Sequence, residues 1–123
     1  MVEGMFDRGS LPVLESLVRF AAARHPVIAA NIANVETAGY RAQDLPVGAF
    51  RAALARAAGA SRLELRPGDA SDSGPLKPKG NNVDLDMEMG RMVRNATVHQ
   101  TAASLLAHQF AMLREAVAER IFG

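Results

Sequence analysis

Cysteine and tryptophan are both missing from this chain of 123 residues, and tyrosine occurs once. Without cysteine there is no disulfide framework and no thiolate for nucleophilic or metal chemistry. Aromatic residues make up only 5%, and although 49% of the chain is hydrophobic, much of that share is alanine. Such a chain buries little area per residue, and at ~25 cal/mol per Å2 of apolar surface it is a poor candidate for a self-sufficient globular core. Small residues do, however, let helix backbones approach closely. Lys77 and Lys79 are the only two of the 14 basic residues that are not arginine, and 13 acidic residues bring the net charge to +1. That balance excludes nucleic-acid binding through a bulk basic stripe. No segment reaches the ~18 uninterrupted apolar residues of a membrane span. Residues 1–10 have neither a basic n-region nor an apolar h-region. No transmembrane segment and no cleavable signal peptide are therefore expected.

Helical periodicity is what the chain does have. Over residues 11–34, Leu11, Leu14, Val18, Ala21, His25, Ile28 and Ile32 recur with alternating spacings of 3 and 4, the seam of a helix that buries one narrow stripe against another helix. Ser10 suits an N-cap, and Pro12 falls in the first turn, where its missing N–H costs nothing. Pro26 lies inside the run, where it removes a hydrogen bond and clashes with the preceding turn, so a kink at residues 22–25 or a break at Pro26 is expected. Asn34 and Gly39 close this helix. A shorter alanine-rich helix is expected within 45–60, with Val47, Phe50 and Leu54 on one face.

The second long run spans 84–122. Leu85, Met89, Met92, Ala96, His99, Ala103, Leu106, Phe110, Leu113 and Val117 again alternate between spacings of 4 and 3. Asp84 is the expected N-cap, and Asp86 and Glu88 put negative charge at the positive end of the helix dipole. Such a helix would be on the order of 60 Å long, so part of its seam needs a partner. Between the runs, residues 61–66 alternate polar and apolar, a weak strand signal, and 67–82 are rich in proline, glycine and small polar residues, a mobile loop by composition. The expected fold is all-α. Residues 1–58 and 83–123 together form one helical domain, and 59–82 form a flexible linker with little or no β structure.

Catalytic and ligand motifs are weak by comparison. His25 and His99 fall on the two seams and can face each other, but as register-setting polar residues rather than as metal ligands, since no carboxylate or thiolate accompanies them. Gly80 is followed by two asparagines, not by the Lys-Ser/Thr pair of a phosphate loop. Asp69, Asp72, Asp84 and Asp86 lack the turn glycine and the closing glutamate of a calcium loop. Met87, Met89 and Met92 read as core. No enzyme activity, cofactor, metal or small-molecule substrate is expected. Asn31 and Asn34, at the closing end of the first helix beside Thr37 and Tyr40, have two readings: helix termination with turn chemistry, or a docking surface for neighbouring subunits.

The stretch Asn31-Ile32-Ala33-Asn34, followed by Thr37-Ala38-Gly39-Tyr40, resembles the N-terminal signature of the bacterial flagellar axial proteins, the rod and hook family. Its usual form ends in Thr-Pro-Gly-Tyr, so Ala38 stands in for proline. Asn81, Asn82, Val83 and Asp84, preceded by Gly80 and followed by Leu85, Asp86, Glu88 and Met89, resemble the segment that opens the C-terminal helix in the same family. The residues 41–45 with Phe50 and Leu54, and the short middle, are similar to the proximal-rod members. The resemblance covers roughly residues 14–55 and 80–120. It implies export through the flagellar type III apparatus without a cleaved leader. It also implies helical stacking of the terminal helices into a hollow axle in the periplasmic space, and contact with other rod subunits and with the ring and export base at the proximal end. Pro26, Ala38 and His99 depart from the family pattern. Two rival readings remain: a soluble helical adaptor or chaperone of a type III secretion system, folding alone as a helical hairpin, and a small metalloenzyme using His25 and His99.

Overall fold

The computed structural model describes residues 10–56, 64–71 and 73–122. The chain is mainly all-α, as the periodicity predicts. Helix α1 spans Ser10–Ala33, α2 spans Val47–Ala55 and α3 spans Leu85–Phe122. Two-residue strands β1, Gln43–Asp44, and β2, Gly68–Asp69, pair antiparallel, with Gln43 opposite Asp69 and Asp44 opposite Gly68. One further bond, from Ala70 N–H to the Ala42 carbonyl at 2.9 Å, extends this ladder.

Helix α1 runs through Pro26 without a break. Ala22, whose carbonyl loses its donor, and Pro26 are both exposed, so water can take the freed acceptor. The helix closes as its sequence indicates: Asn34 N–H and Nδ2 both donate to the Ala30 carbonyl, at 3.0 and 2.8 Å. Thr37 Oγ1 donates to Asn34 Oδ1 at 3.0 Å, and Gly39 takes a φ of 74° that other residues rarely adopt. Helix α3 begins on Asp84, whose Oδ1 accepts from Met87 N–H at 3.1 Å. That is the N-cap its sequence predicts.

The apolar core is small. Phe20 of α1 stacks on Phe50 of α2 with centroids 4.0 Å apart and planes 13° apart. Leu45 and Ala53 complete the buried cluster, and Leu17, Val27, Leu54 and Leu65 pack around it. Helix α2 is shorter than expected, ending at Ala55 with Arg56 as C-cap; 57–60 lie outside the described residues. The alternating segment 61–66 lies partly outside them too, and Glu64–Pro67 are not strand; the pairing falls instead on Gly68–Asp69.

Helices α1 and α3 pack antiparallel: Asn31 near the end of α1 meets Glu88 in the first turn of α3, and Ala21 meets Asn95. The buried stripe of α3 is Glu88, Arg91, Asn95 and Ala102. It is displaced by one residue, about 100° around the helix, from the stripe containing Met89, Met92, Ala96 and Ala103. Of the seam residues, Ala21 and Ile28 are buried, and Leu11, Leu14, Val18, Ile32, Met92, His99, Ala103 and Leu106 are half-buried. Leu85, Met89, Phe110, Leu113 and Val117 are exposed.

Candidate functional site

The two family-like segments, 31–40 and 80–88, meet in one buried junction. Asn31 is its centre, with 0% of its surface exposed. Its Nδ2 donates to the Gln43 carbonyl at 2.7 Å and to Glu88 Oε1 at 3.0 Å. Its Oδ1 accepts from Tyr40 Oη and from Gln43 N–H, both at 2.9 Å. Both donors and both lone pairs of the amide are thereby used. Glu88, 1% exposed, is held on its other oxygen by Arg91 Nη1 at 2.7 Å. A buried carboxylate survives only with such partners.

Asn81 and Asn82 close the junction from the other side. Asn81 Nδ2 donates to the carbonyls of Asn34 and Thr37, at 2.8 and 2.7 Å, adding a second bond to acceptors that already take the Thr37 and Tyr40 N–H groups in the turn. Its Oδ1 accepts from Val83 N–H at 2.7 Å. Asn82 Oδ1 accepts from Ala42 N–H at 2.6 Å, and its Nδ2 donates to Ser73 Oγ at 3.0 Å. Gly39 N–H donates to the Lys79 carbonyl at 2.8 Å. Gly80 has a φ of 78°, and a Cβ there would meet Gly39 Cα at 3.6 Å, so its glycine is required by backbone conformation rather than by space. Among the described residues, no buried side-chain nitrogen or oxygen lacks a partner.

Electrostatics follows from this packing. Burial pushes the Tyr40 hydroxyl above the usual tyrosine range, and the negative charge of Glu88 pushes it in the same direction. Arg24 and Asp44 form a two-pronged pair just outside the junction, at 2.9 and 2.8 Å, which ties α1 to β1.

Of the residues singled out from sequence, Asn31, Tyr40, Asn81, Asn82, Val83 and Asp84 converge here. Ile32 flanks the junction half-buried, while Ala33, Thr37 and Gly39 are exposed on its rim. Asn34 serves the turn rather than the buried centre. The segment 67–82, read from composition as a loop, is tied down in its described part by the asparagine contacts and by a turn closed by Gly80 N–H on the Lys77 carbonyl at 2.8 Å. Glu88 stood out in the sequence only as a charge at the start of the helix and as part of the second motif, and Arg91, Asn95 and the Arg24–Asp44 pair did not stand out at all. A charged or amide residue at a spacing of 3 to 4 from others of its kind looks like a solvated face, and only the fold reveals its partner. His25 and His99 both line a groove of about 750 Å3 between α1 and α3, walled largely by alanines. No group of three or more histidine, aspartate or glutamate side chains able to hold a metal occurs among the described residues. No protein-family model matches the chain, and no curated protein matches it.

Proposed function

We propose that the protein is a structural subunit of the proximal rod of the bacterial flagellar basal body, of the FlgB type, working by self-association and by contact with neighbouring rod subunits and the ring and export base. The carrying observation is the exposed apolar surface of α3. At 1.5 Å per residue the 38 residues of α3 extend about 57 Å, against about 36 Å for the 24 residues of α1. Phe110, Leu113, Val117, Ile121 and Phe122 are all exposed along its C-terminal third, from 38% to 86%. Contiguous apolar surface of that kind favours a partner. The sequence resemblance supplies which partner: copies of rod subunits stacked through their terminal helices.

The antiparallel packing of α1 on α3 is also what a self-contained adaptor or chaperone would have. The exposed stripe argues against it, since such a protein would cover its apolar face alone. Expression of the tagged chain in a flagellated bacterium deprived of its own proximal rod subunit tests the proposal. Restored swimming with the tag in purified basal bodies is the expected outcome. A chain that stays soluble, monomeric and outside the basal body would sink the rod reading and leave the adaptor.

A further inference from the structure

We propose that the concave surface enclosed by α1, α2, the β2 segment and the first turns of α3 is a binding site for a small oxyanion carrying two or more negative charges. The pocket encloses about 570 Å3, within the ~300–1,000 Å3 range of small-molecule sites. Five arginines from four separate parts of the chain converge on it: Arg24, Arg51, Arg66, Arg91 and Arg94. A solvated helix face does not produce this arrangement, because the guanidinium groups arrive from different elements.

The arginines divide into two sets. Arg24 and Arg91 form a fixed part of the wall, with side chains 19% and 9% exposed and pinned by Asp44 and Glu88. Arg66 is paired with Glu64 at 2.8 Å at the exposed rim. Arg51 and Arg94 have no carboxylate partner among the described residues. Two carboxylates among the described residues also line the pocket. Asp44 is held by Arg24, and Asp69 accepts a bond from Gln43 Nε2 at 2.9 Å. Asp44, Glu88 and Glu64 neutralise three of the five guanidinium groups, and Arg51 and Arg94 against Asp69 leave the surface with a net positive charge.

The first turn of α2 adds to this. Pro46, Val47 and Gly48 line the pocket, and no side chain caps the helix. Val47 N–H is taken by the Leu45 carbonyl at 2.7 Å, so the contribution of this turn is the Gly48 N–H and the positive end of the helix dipole. Arginine forks match the paired oxygens of phosphoryl and carboxylate groups, which a lysine does not. Among the described residues no aromatic ring lines the pocket, and a lining of guanidinium groups without a stacking wall suits a compact polyanion. The site is separate from the apolar stripe of α3 and does not depend on the rod reading.

Calorimetric titration of the full chain at low ionic strength, with pyrophosphate and in parallel with citrate, tests it. Saturable binding is expected. Pyrophosphate alone identifies a phosphoryl ligand, citrate alone a carboxylate ligand, and binding of both the shared oxyanion chemistry. The double substitution Arg51→Gln with Arg94→Gln should weaken binding at least about tenfold. A charge-matched control outside the pocket, Arg114→Gln with Arg120→Gln, should change it less than about twofold. Arg94→Lys keeps the charge and should still weaken binding through loss of the fork. Circular dichroism of each variant establishes that the fold is retained. No saturable heat with either anion, or equal weakening in the pocket and control variants, overturns the proposal.

Discussion

Asn31 and Glu88, 57 positions apart in the chain, share a 3.0 Å hydrogen bond in a setting almost sealed from water. Each is fully engaged elsewhere as well, so removing either strands several groups at once. In a chain with so small an apolar core, this junction holds the terminal helices in register more than hydrophobic burial does.

Asn31→Ala leaves the Gln43 backbone, the Tyr40 hydroxyl and one oxygen of Glu88 without their partner. A loss of about 2–4 kcal/mol is expected, since each buried unsatisfied group costs about 1–3 kcal/mol and relaxation recovers part of it. Asn34→Ala removes only exposed turn contacts and should cost about 1 kcal/mol or less. Urea unfolding followed by circular dichroism compares the two. Equal losses would mean that the buried amide is no more important than the turn.

Tyr40 offers a spectroscopic handle, because it is the sole tyrosine and there is no tryptophan. Its pKa is raised in the folded chain, by burial first and by Glu88 second. The folded state therefore holds the phenol proton more tightly than the unfolded state does. The associated stability is complete below the ordinary tyrosine pKa of about 10, and it is lost as pH rises from there through the folded value. The tyrosinate absorption of native protein should rise at a higher pH than that of urea-unfolded protein, and Glu88→Gln should bring the two curves closer. Coincident curves would contradict the burial of the hydroxyl.

Helix α2 has only nine residues and no N-terminal side-chain cap, too short to persist unaided. The Phe20–Phe50 stack is its main anchor. Phe50→Ala should destabilise the protein by about 3–5 kcal/mol, and Phe50→Leu by less. Hydrogen exchange over Val47–Ala55 should rise to the unprotected rate in the alanine variant while α3 keeps its protection near Glu88. Uniform loss across the chain would show that α2 does not open as a separate unit.

On α3, Val117→Glu with Ile121→Glu places two charges on the exposed apolar stripe, far from the junction. Helical content of dilute protein should be unchanged, because neither side chain is buried. Self-association measured by sedimentation should weaken at least about tenfold if that stripe is the contact surface. Unaltered association would move the contact elsewhere.

The helices were legible because their residues repeat at helical spacing over many turns, and the caps at Asn34 and Asp84 because short polar side chains at helix ends have local partners. The buried face of α3 was not legible. Glu88, Arg91 and Asn95 look like surface residues in any hydropathy pattern, and their burial depends on Asn31, on one another and on the Ala21 carbonyl, which Asn95 Nδ2 reaches at 2.8 Å. Hydrophobic spacing therefore selected the neighbouring stripe, one residue away. Asn31 and Asn34 stood out as polar residues at a helix end, Asn81 and Asn82 through resemblance alone; nothing in the spacing of Asn31 and Asn81 indicates that they meet in one junction. Pro26 suggested a kink or a break; the break does not occur, and the acceptor that loses its bond lies on a wet face, which propensity does not take into account.

The long-range closure of Asn31 on Glu88 and of Ala21 on Asn95 also sets a timetable for synthesis. Helix α1 is complete in sequence once Ala33 has been added, yet the side chains that lock it come more than fifty residues later. At ~5–20 residues per second, a ribosome needs roughly 3–12 s to add residues 34–95. Throughout that interval α1 can pack on residues 40–55, through Phe20 on Phe50 and Arg24 on Asp44, but not on α3, and whatever first meets the face that α3 will cover competes with the chain's own C-terminal half. Slowing translation across 40–80 should therefore prolong the window in which the nascent segment can be captured, without altering any contact of the finished fold.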